Sequence, residues 1–244
     1  MNFKAKKGQT SYGEAIGILM LDTFTPFIHG DVGNAASYDY PVRFKRVESL
    51  TVEKIFNHDT TFIKNMVECA KNLEKEGVKA ITGDCGFMAI FQEAVKKEVK
   101  IPVFLSSLLQ IPFIRATLSS DAKIGIITAN SQALTKNIFE KINITDTSSL
   151  VIKGLEHAHY FREAAIEETG SLNREMVEKE VVSAAEDLVA ENQNIGSLLL
   201  ECSLLPPYSR AVQKATQIPV YDFLTMIDYV YASLEKKSFY NDKM

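Results

Sequence analysis

Short apolar runs alternate with stretches of helical periodicity along the whole chain, the pattern of a protein that sets parallel strands beside helices. The first run, Ile16 to Leu21, reads as a buried strand that stops at Asp22. Residues 22–39 (DTFTPFIHGDVGNAASYD) form a loop with two strong turn formers, Gly30-Asp31 and Gly33-Asn34. At roughly twice the usual strand-to-helix length, this loop is expected to serve function over a crevice. Residues 40–47 (YPVRFKRV) alternate apolar and polar, as an edge or half-buried strand does. Phe62, Met66, Val67, Ala70 and Leu73 then keep helical spacing up to Gly77, a C-terminal stop.

From there the pattern repeats itself. ITGDCGFMAIFQEAV, residues 81–95, returns as LLLECSLLPPYSRAV, residues 198–212, at an offset of 117 that carries Cys85 onto Cys202. The same offset carries Glu74 onto Glu191, Ala94 onto Ala211, Lys97 onto Lys214 and Ile101-Pro102-Val103 onto Ile218-Pro219-Val220. Each copy reads as strand, Cys loop, helix, strand. The opening IGIL at 16–19 recurs as IGII at 124–127, where KIGIITANSQAL predicts a strand running into a polar turn and a helix. Residues 148–153 read as a strand, 154–165 (GLEHAHYFREAA) as a polar connection, 173–192 as a helix with a charged outer face, and about 223–235 as a last helix.

The fold class that follows is α/β, with two pseudo-symmetric lobes, a mostly parallel sheet in each and a cleft between them. The first lobe is expected over 1–105, completed by 223–244, and the second over 106–222. In open sheets of this kind ligands bind outside the carboxyl ends of the strands, so both cysteine loops belong at the cleft mouth.

Composition narrows the partners. The 244 residues carry a net charge of -4 and a sequence pI near 5.7, with no basic stripe for nucleic acid or an anionic membrane. Lys4, Lys6 and Lys7 precede the apolar run 15–21, but no small-residue cleavage site follows, so the run is taken as a strand and not a leader. No apolar run approaches the ~20 residues of a membrane span. Three cysteines are too few for a disulfide framework, and a reducing, cytoplasmic location is expected. Homo-oligomerisation is left open.

Cys69, on the flank of a helical face, reads as a small buried hydrophobe. Cys85 and Cys202 each close a strand and open a turn at equivalent repeat positions, which packing does not require. Two facing thiols suit removal of a proton from one face of a carbon and its return to the other, one as base and one as acid. The backbone N-H groups of the turns after Cys85 and Cys202 would hold the substrate's carboxyl or carbonyl. Asn34 is either a substrate contact or a turn former. Thr128, Asn130 and Ser131 either bind carboxylate or cap the next helix. His29 reads as a loop histidine, and the HxH pair His157 and His159 lacks a third ligand nearby, so no metal site and no pyridoxal site are expected.

These residues resemble the aspartate/glutamate racemase superfamily of cofactor-independent, two-thiol racemases. The resemblance covers nearly the whole chain and rests on IGILMLDT, GDVGNAA, YPVRFKRV, TGDCGFMAIFQ, IPVFLSSLLQIP, GIITANS and LECSLLPPY. It implies that Cys85 and Cys202 are the catalytic pair. It also implies that Asp22-Thr23 line the substrate cleft and that Ser203 contacts the substrate carboxylate. Where glutamate racemases have Asn-Thr after the first cysteine and a histidine shortly after the second, this chain has Gly86-Phe87 and Leu204. With Met88 and Leu205, these point to a less polar ligand or a cyclic one such as a hydantoin. The expected activity is cofactor-free racemisation or epimerisation beside a carboxylate or carbonyl, on a small-molecule carboxylate or cyclic amide. The alternatives are a one-thiol isomerase or decarboxylase of the same superfamily and a non-catalytic small-molecule binder.

Overall fold

A computed structural model describes Asn2 and residues 4–238. The first sheet comprises β1 (Ile16–Met20), β2 (Val42–Arg46), β3 (Ala80–Gly83) and β4 (Val103–Phe104), with α1 (Val52–Phe56), α2 (Ile63–Glu76), α3 (Gln92–Glu98) and α4 (Ile111–Thr117) between and after its strands. The second comprises β5 (Lys123–Thr128), β6 (Leu150–Gly154), β7 (Ile195–Leu200) and β8 (Val220–Tyr221), connected through α5 (Lys136–Lys141), α6 (His159–Ala165), α7 (Arg174–Glu191) and α8 (Ser209–Thr216). α9 (Phe223–Leu234) follows. The orders are β2-β1-β3-β4 and β6-β5-β7-β8, and every pairing is parallel.

The repeat read in the sequence holds in the hydrogen-bond register. Ile16 pairs with Val42 and with Ala80 in the first sheet, and Ile124 pairs with Leu150 and with Ser197 in the second. An offset of 108 thus relates the first two strands of each lobe, and 117 the third. The difference lies between β6 and β7.

The central strands β1, β3, β5 and β7 form because their side chains are largely buried on both faces, while the edge strands β2, β6 and β8 are half-buried. Ile16, Ile18 and Met20 of β1 pack with Phe223, Met226 and Ile227 of α9, while Leu19 points to the opposite face with Met66, Ala70 and Leu73 of α2. α9 therefore returns to cover the first sheet, where Tyr231 stacks on Tyr40 at 3.5 Å and Asp228 accepts a 2.6 Å hydrogen bond from the Tyr40 hydroxyl. Of the stretch 223–244 expected to complete the first lobe, residues 239–244 lie outside the described residues. Gly77 ends α2 in the left-handed region at φ 101°, as its position after the helical stripe predicts.

The connection expected over 154–165 contains α6. Phe161, Ala164 and Ala165 put an apolar face on the core, and the Glu180 carboxylate of α7 accepts from the Tyr160 and Phe161 backbone N-H groups at 2.9 and 2.8 Å. The cap that starts this helix comes from another element, so the local sequence does not show it.

Candidate active site

Both cysteines follow the carboxyl ends of central strands, Cys85 after β3 and Cys202 after β7, and both are free and buried at 8% and 9% exposure. They line one cavity of about 40 Å³ together with Leu21, Thr23, Thr25, Phe27, Phe56, Asp84, Phe87, Glu201, Ser203 and Leu204. The backbone N-H two residues on, Phe87 for Cys85 and Leu204 for Cys202, favours each thiolate, against the larger effect of burial. The two turns are related by the same offset of 117 as the cysteines themselves. The N-H groups expected to hold a substrate carboxyl are, at these two positions, directed at sulfur.

The acid that precedes each cysteine anchors the site. The Asp84 carboxylate accepts from Leu21 N-H at 3.0 Å. The Glu201 carboxylate accepts from the Thr128 hydroxyl at 2.8 Å, and Ala129 N-H, the position equivalent to Leu21, favours its charged form. Three further bonds converge here. Ser203 donates its hydroxyl to the Asp84 carbonyl, Ser107 donates to the Glu201 carbonyl at 2.8 Å, and Val32 N-H donates to the Ser203 carbonyl at 3.3 Å.

Glu201 is fully buried, and its Oε1 has no hydrogen-bond partner among the described residues. That oxygen lies against Gly86, where a Cβ would overlap it outright. Among the described residues, no arginine, lysine or histidine lines the cavity. The consequence is an uncompensated acidic field. Burial raises Asp84 and Glu201 to about 7 and Asp31, behind Cys202, to about 8. Burial, with Glu201 as the leading neighbouring charge, lifts both thiols well above the ordinary thiol range. In the empty cavity the thiols hold their protons at neutral pH.

Cys85, Cys202, Thr23, Phe87 and Ser203 meet at the cavity. Asp22 turns away, accepting from Ser49 N-H at 2.9 Å and pairing with Arg46 at 3.6 Å. Asn34 caps a turn, accepting from Ala36 N-H at 2.9 Å and donating to the Phe27 carbonyl at 3.0 Å. Asn130 caps the turn after β5 through Gln132 and Ala133 N-H at 3.0 and 3.1 Å. Thr128 and Gly86 shape Glu201 and do not themselves line the cavity. His29 and His157 are exposed, and His159 pairs with Glu163 at 3.7 Å on the surface. Cys69 sits half-exposed near the Arg46 carbonyl. Sequence reasoning missed the two acids Asp84 and Glu201, although an acid before each repeated cysteine was the visible signal.

No protein-family model matches the chain. A dimethylsulfoniopropionate lyase from Durusdinium sp. clade D is 33% identical over 222 residues, covering 88% of this chain and 73% of that protein. The chain belongs to the dimethylsulfoniopropionate lyase family. Dimethylsulfoniopropionate lyase 3 of Emiliania huxleyi is 33% identical over 231 residues, 90% of this chain and 60% of its own length. This lyase-family chain therefore spans about three fifths of the Emiliania huxleyi relative.

Solved structures of the aspartate/glutamate racemase superfamily share the fold. Arylmalonate decarboxylase matches with a TM-score of 0.59 at 15% identity, covering 92% of this chain and 94% of that one. Glutamate racemase from Francisella tularensis subsp. tularensis SCHU S4, in complex with D-glutamate, matches with a TM-score of 0.58 at 18% identity over 91% and 81%. Membership of a lyase family marks the chain as an enzyme, and the racemisation expected from the sequence is not what these relatives are named for. No helix among the described residues is long and apolar enough to cross a membrane.

Proposed function

We propose that the chain cleaves dimethylsulfoniopropionate, or a close β-sulfonio carboxylate, by elimination. A thiolate of the Cys85/Cys202 pair removes a proton from the carbon next to the carboxylate. The C-H electron pair forms the new double bond, the C-S bond breaks, and its pair leaves on neutral dimethyl sulfide. Acrylate is the second product, and the abstracted proton passes from the thiol to solvent.

The observation that carries this reading is the cavity wall. It combines two thiols, two buried carboxyls and the rings of Phe27, Phe56 and Phe87, and holds no basic residue among the described residues. Phe56 and Phe87 meet edge to face at 5.0 Å. Aromatic faces and carboxylates attract a desolvated onium group, whereas a purely anionic ligand would meet repulsion. The family name supplies a ligand with that charge.

Racemisation begins with the same proton abstraction and remains the second reading, favoured by the equivalent register of the two thiols. The outcomes separate on the leaving group: a carbanion beside a sulfonium-bearing carbon expels the sulfide, whereas one without a leaving group must be reprotonated. The test is headspace measurement of dimethyl sulfide from dimethylsulfoniopropionate, run beside a panel of single-enantiomer amino acids and hydantoins. Sulfide release without enantiomer interconversion is expected. Interconversion without sulfide release would replace elimination by racemisation.

A further inference from the structure

We propose that Glu201 is a charge gate on the thiols, holding them protonated while the cavity is empty and releasing one to ionise when a cationic head group enters. The inference rests on the reading of the cavity as a site for an onium carboxylate, and it concerns which residue makes that site selective for positive charge.

The geometry places Glu201 against both thiols at once. It is peptide-bonded to Cys202, and its Oε1 occupies the space beside Gly86, the residue after Cys85. The side chain is fully buried and held by the Thr128 hydroxyl, and the Glu201 carbonyl is held by Ser107. One carboxylate oxygen is left without a donor, a costly arrangement for a buried group. Among the described residues, no cation offsets it at the cavity.

The other ionisable groups facing the thiols are Asp84, which precedes Cys85, and Asp31 from the loop after β1. Both have partners. Asp84 accepts from Leu21 N-H at 3.0 Å, and Asp31 accepts from Ile28 N-H at 2.5 Å. Glu201 is thus the acid with a buried oxygen that has no partner among the described residues, and it is the leading charge acting on each sulfur. A negative charge there disfavours a second one on sulfur, and a ligand cation beside both removes that penalty. A neutral ligand of the same shape does not. The selection falls on charge and not on size, which matches a wall made of phenylalanines and carboxyls with no hydrogen-bonding cation.

The test uses the full-length chain with Cys69→Ser, so that only the two cavity thiols report. The readouts are ultraviolet thiolate absorbance and the iodoacetamide alkylation rate as functions of pH. The probes are the zwitterion 3-(trimethylammonio)propionate, which has a poor leaving group, and its isostere with a neutral head group, the 4,4-dimethylpentanoate anion, each used at a concentration that calorimetry shows to saturate the protein. In the absence of ligand, Glu201→Gln should alkylate at least ~10-fold faster at pH 9, where Glu201 is ionised, than its parent, the effect of one unit on the thiol equilibrium. With Glu201 present, the trimethylammonio compound should raise thiolate absorbance and the neutral isostere should not. In Glu201→Gln the difference between the two ligands should shrink.

Equal alkylation rates in the two proteins across the pH range would overturn the gate. So would an equal thiolate rise with both ligands, a comparison that needs no variant and is untouched by any folding defect. Failure of the elimination reading would show separately, as absence of dimethyl sulfide release while the gate persists.

Discussion

The Glu201 carboxylate fills the space that a side chain at Gly86 would need. The family resemblance sets an asparagine of glutamate racemases against this position. This chain has no side chain at 86, and the buried Glu201 carboxylate occupies the space beside it. Gly86→Ala should force the carboxylate to move. Overpacking a buried site costs typically ~1–3 kcal/mol, while a displacement near 1 Å at reacting groups costs about 10²-fold in rate. The expected result is a fall in kcat/KM of roughly that size with a modest loss of thermal stability. A variant with parental kcat/KM would mean that the position of Glu201 does not matter to the chemistry.

The first-lobe loop after β1 is latched to the second lobe through Glu168. Its carboxylate accepts from the Thr23 hydroxyl and from Phe24 N-H at 2.8 Å, and Thr25 donates to the Ala164 carbonyl at 3.1 Å. Thr23 and Thr25 line the cavity, so substrate must pass this loop. Hydrogen bonds to a charged group contribute ~1.5–3 kcal/mol, and this one is partly in water, which puts its share near the low end. Glu168→Ala is predicted to raise KM by about 10-fold while the melting temperature stays nearly constant. Unchanged KM in steady-state kinetics would show that the latch does not bear on binding.

Stability should fall as the pH rises from mildly acidic to alkaline. Asp84 and Glu201 sit at about 7 and Asp31 at about 8, all raised by burial. Each binds its proton more tightly folded than unfolded. Their contribution is complete below the ordinary carboxyl range near 4. It declines as the unfolded chain ionises and is lost once the pH passes the folded values of 7 to 8. Melting temperatures by calorimetry should therefore drop by several degrees between pH 5 and pH 8.5, and Asp31→Asn should flatten the upper part of that slope. A melting temperature that rises over this range would contradict the burial of these groups as acids.

Much of this was legible beforehand, for identifiable reasons. The two cysteines stood out because the repeat carries one onto the other, and the strands stood out because β1, β3, β5 and β7 are apolar on both faces. α6 was not legible, since its cap comes from Glu180 in α7. Asp22 was placed at the cleft by the family resemblance, and its side chain bonds instead to Ser49 and Arg46, partners set by the fold and not by the local sequence. Asn34 was either a substrate contact or a turn former, and it caps a turn. Glu201 looked like the polar end of an apolar run. Only the packing against Gly86, the unpartnered oxygen and the absence of a basic residue on the cavity wall give it chemical meaning.

The central claim is that a cavity thiol removes the α-proton and that elimination follows. The most direct measurement follows dimethyl sulfide and the three-carbon product from dimethylsulfoniopropionate, with hydrogen or deuterium on the α-carbon, for the parent and the Cys85→Ser/Cys202→Ser double variant. The account predicts acrylate and dimethyl sulfide in equal amounts, slower turnover of the α-deuterated substrate, and a loss of ~10²- to 10⁴-fold in the double variant, the range for removing a general base. Formation of 3-hydroxypropionate in place of acrylate, or undiminished sulfide release without the two thiols, would contradict it.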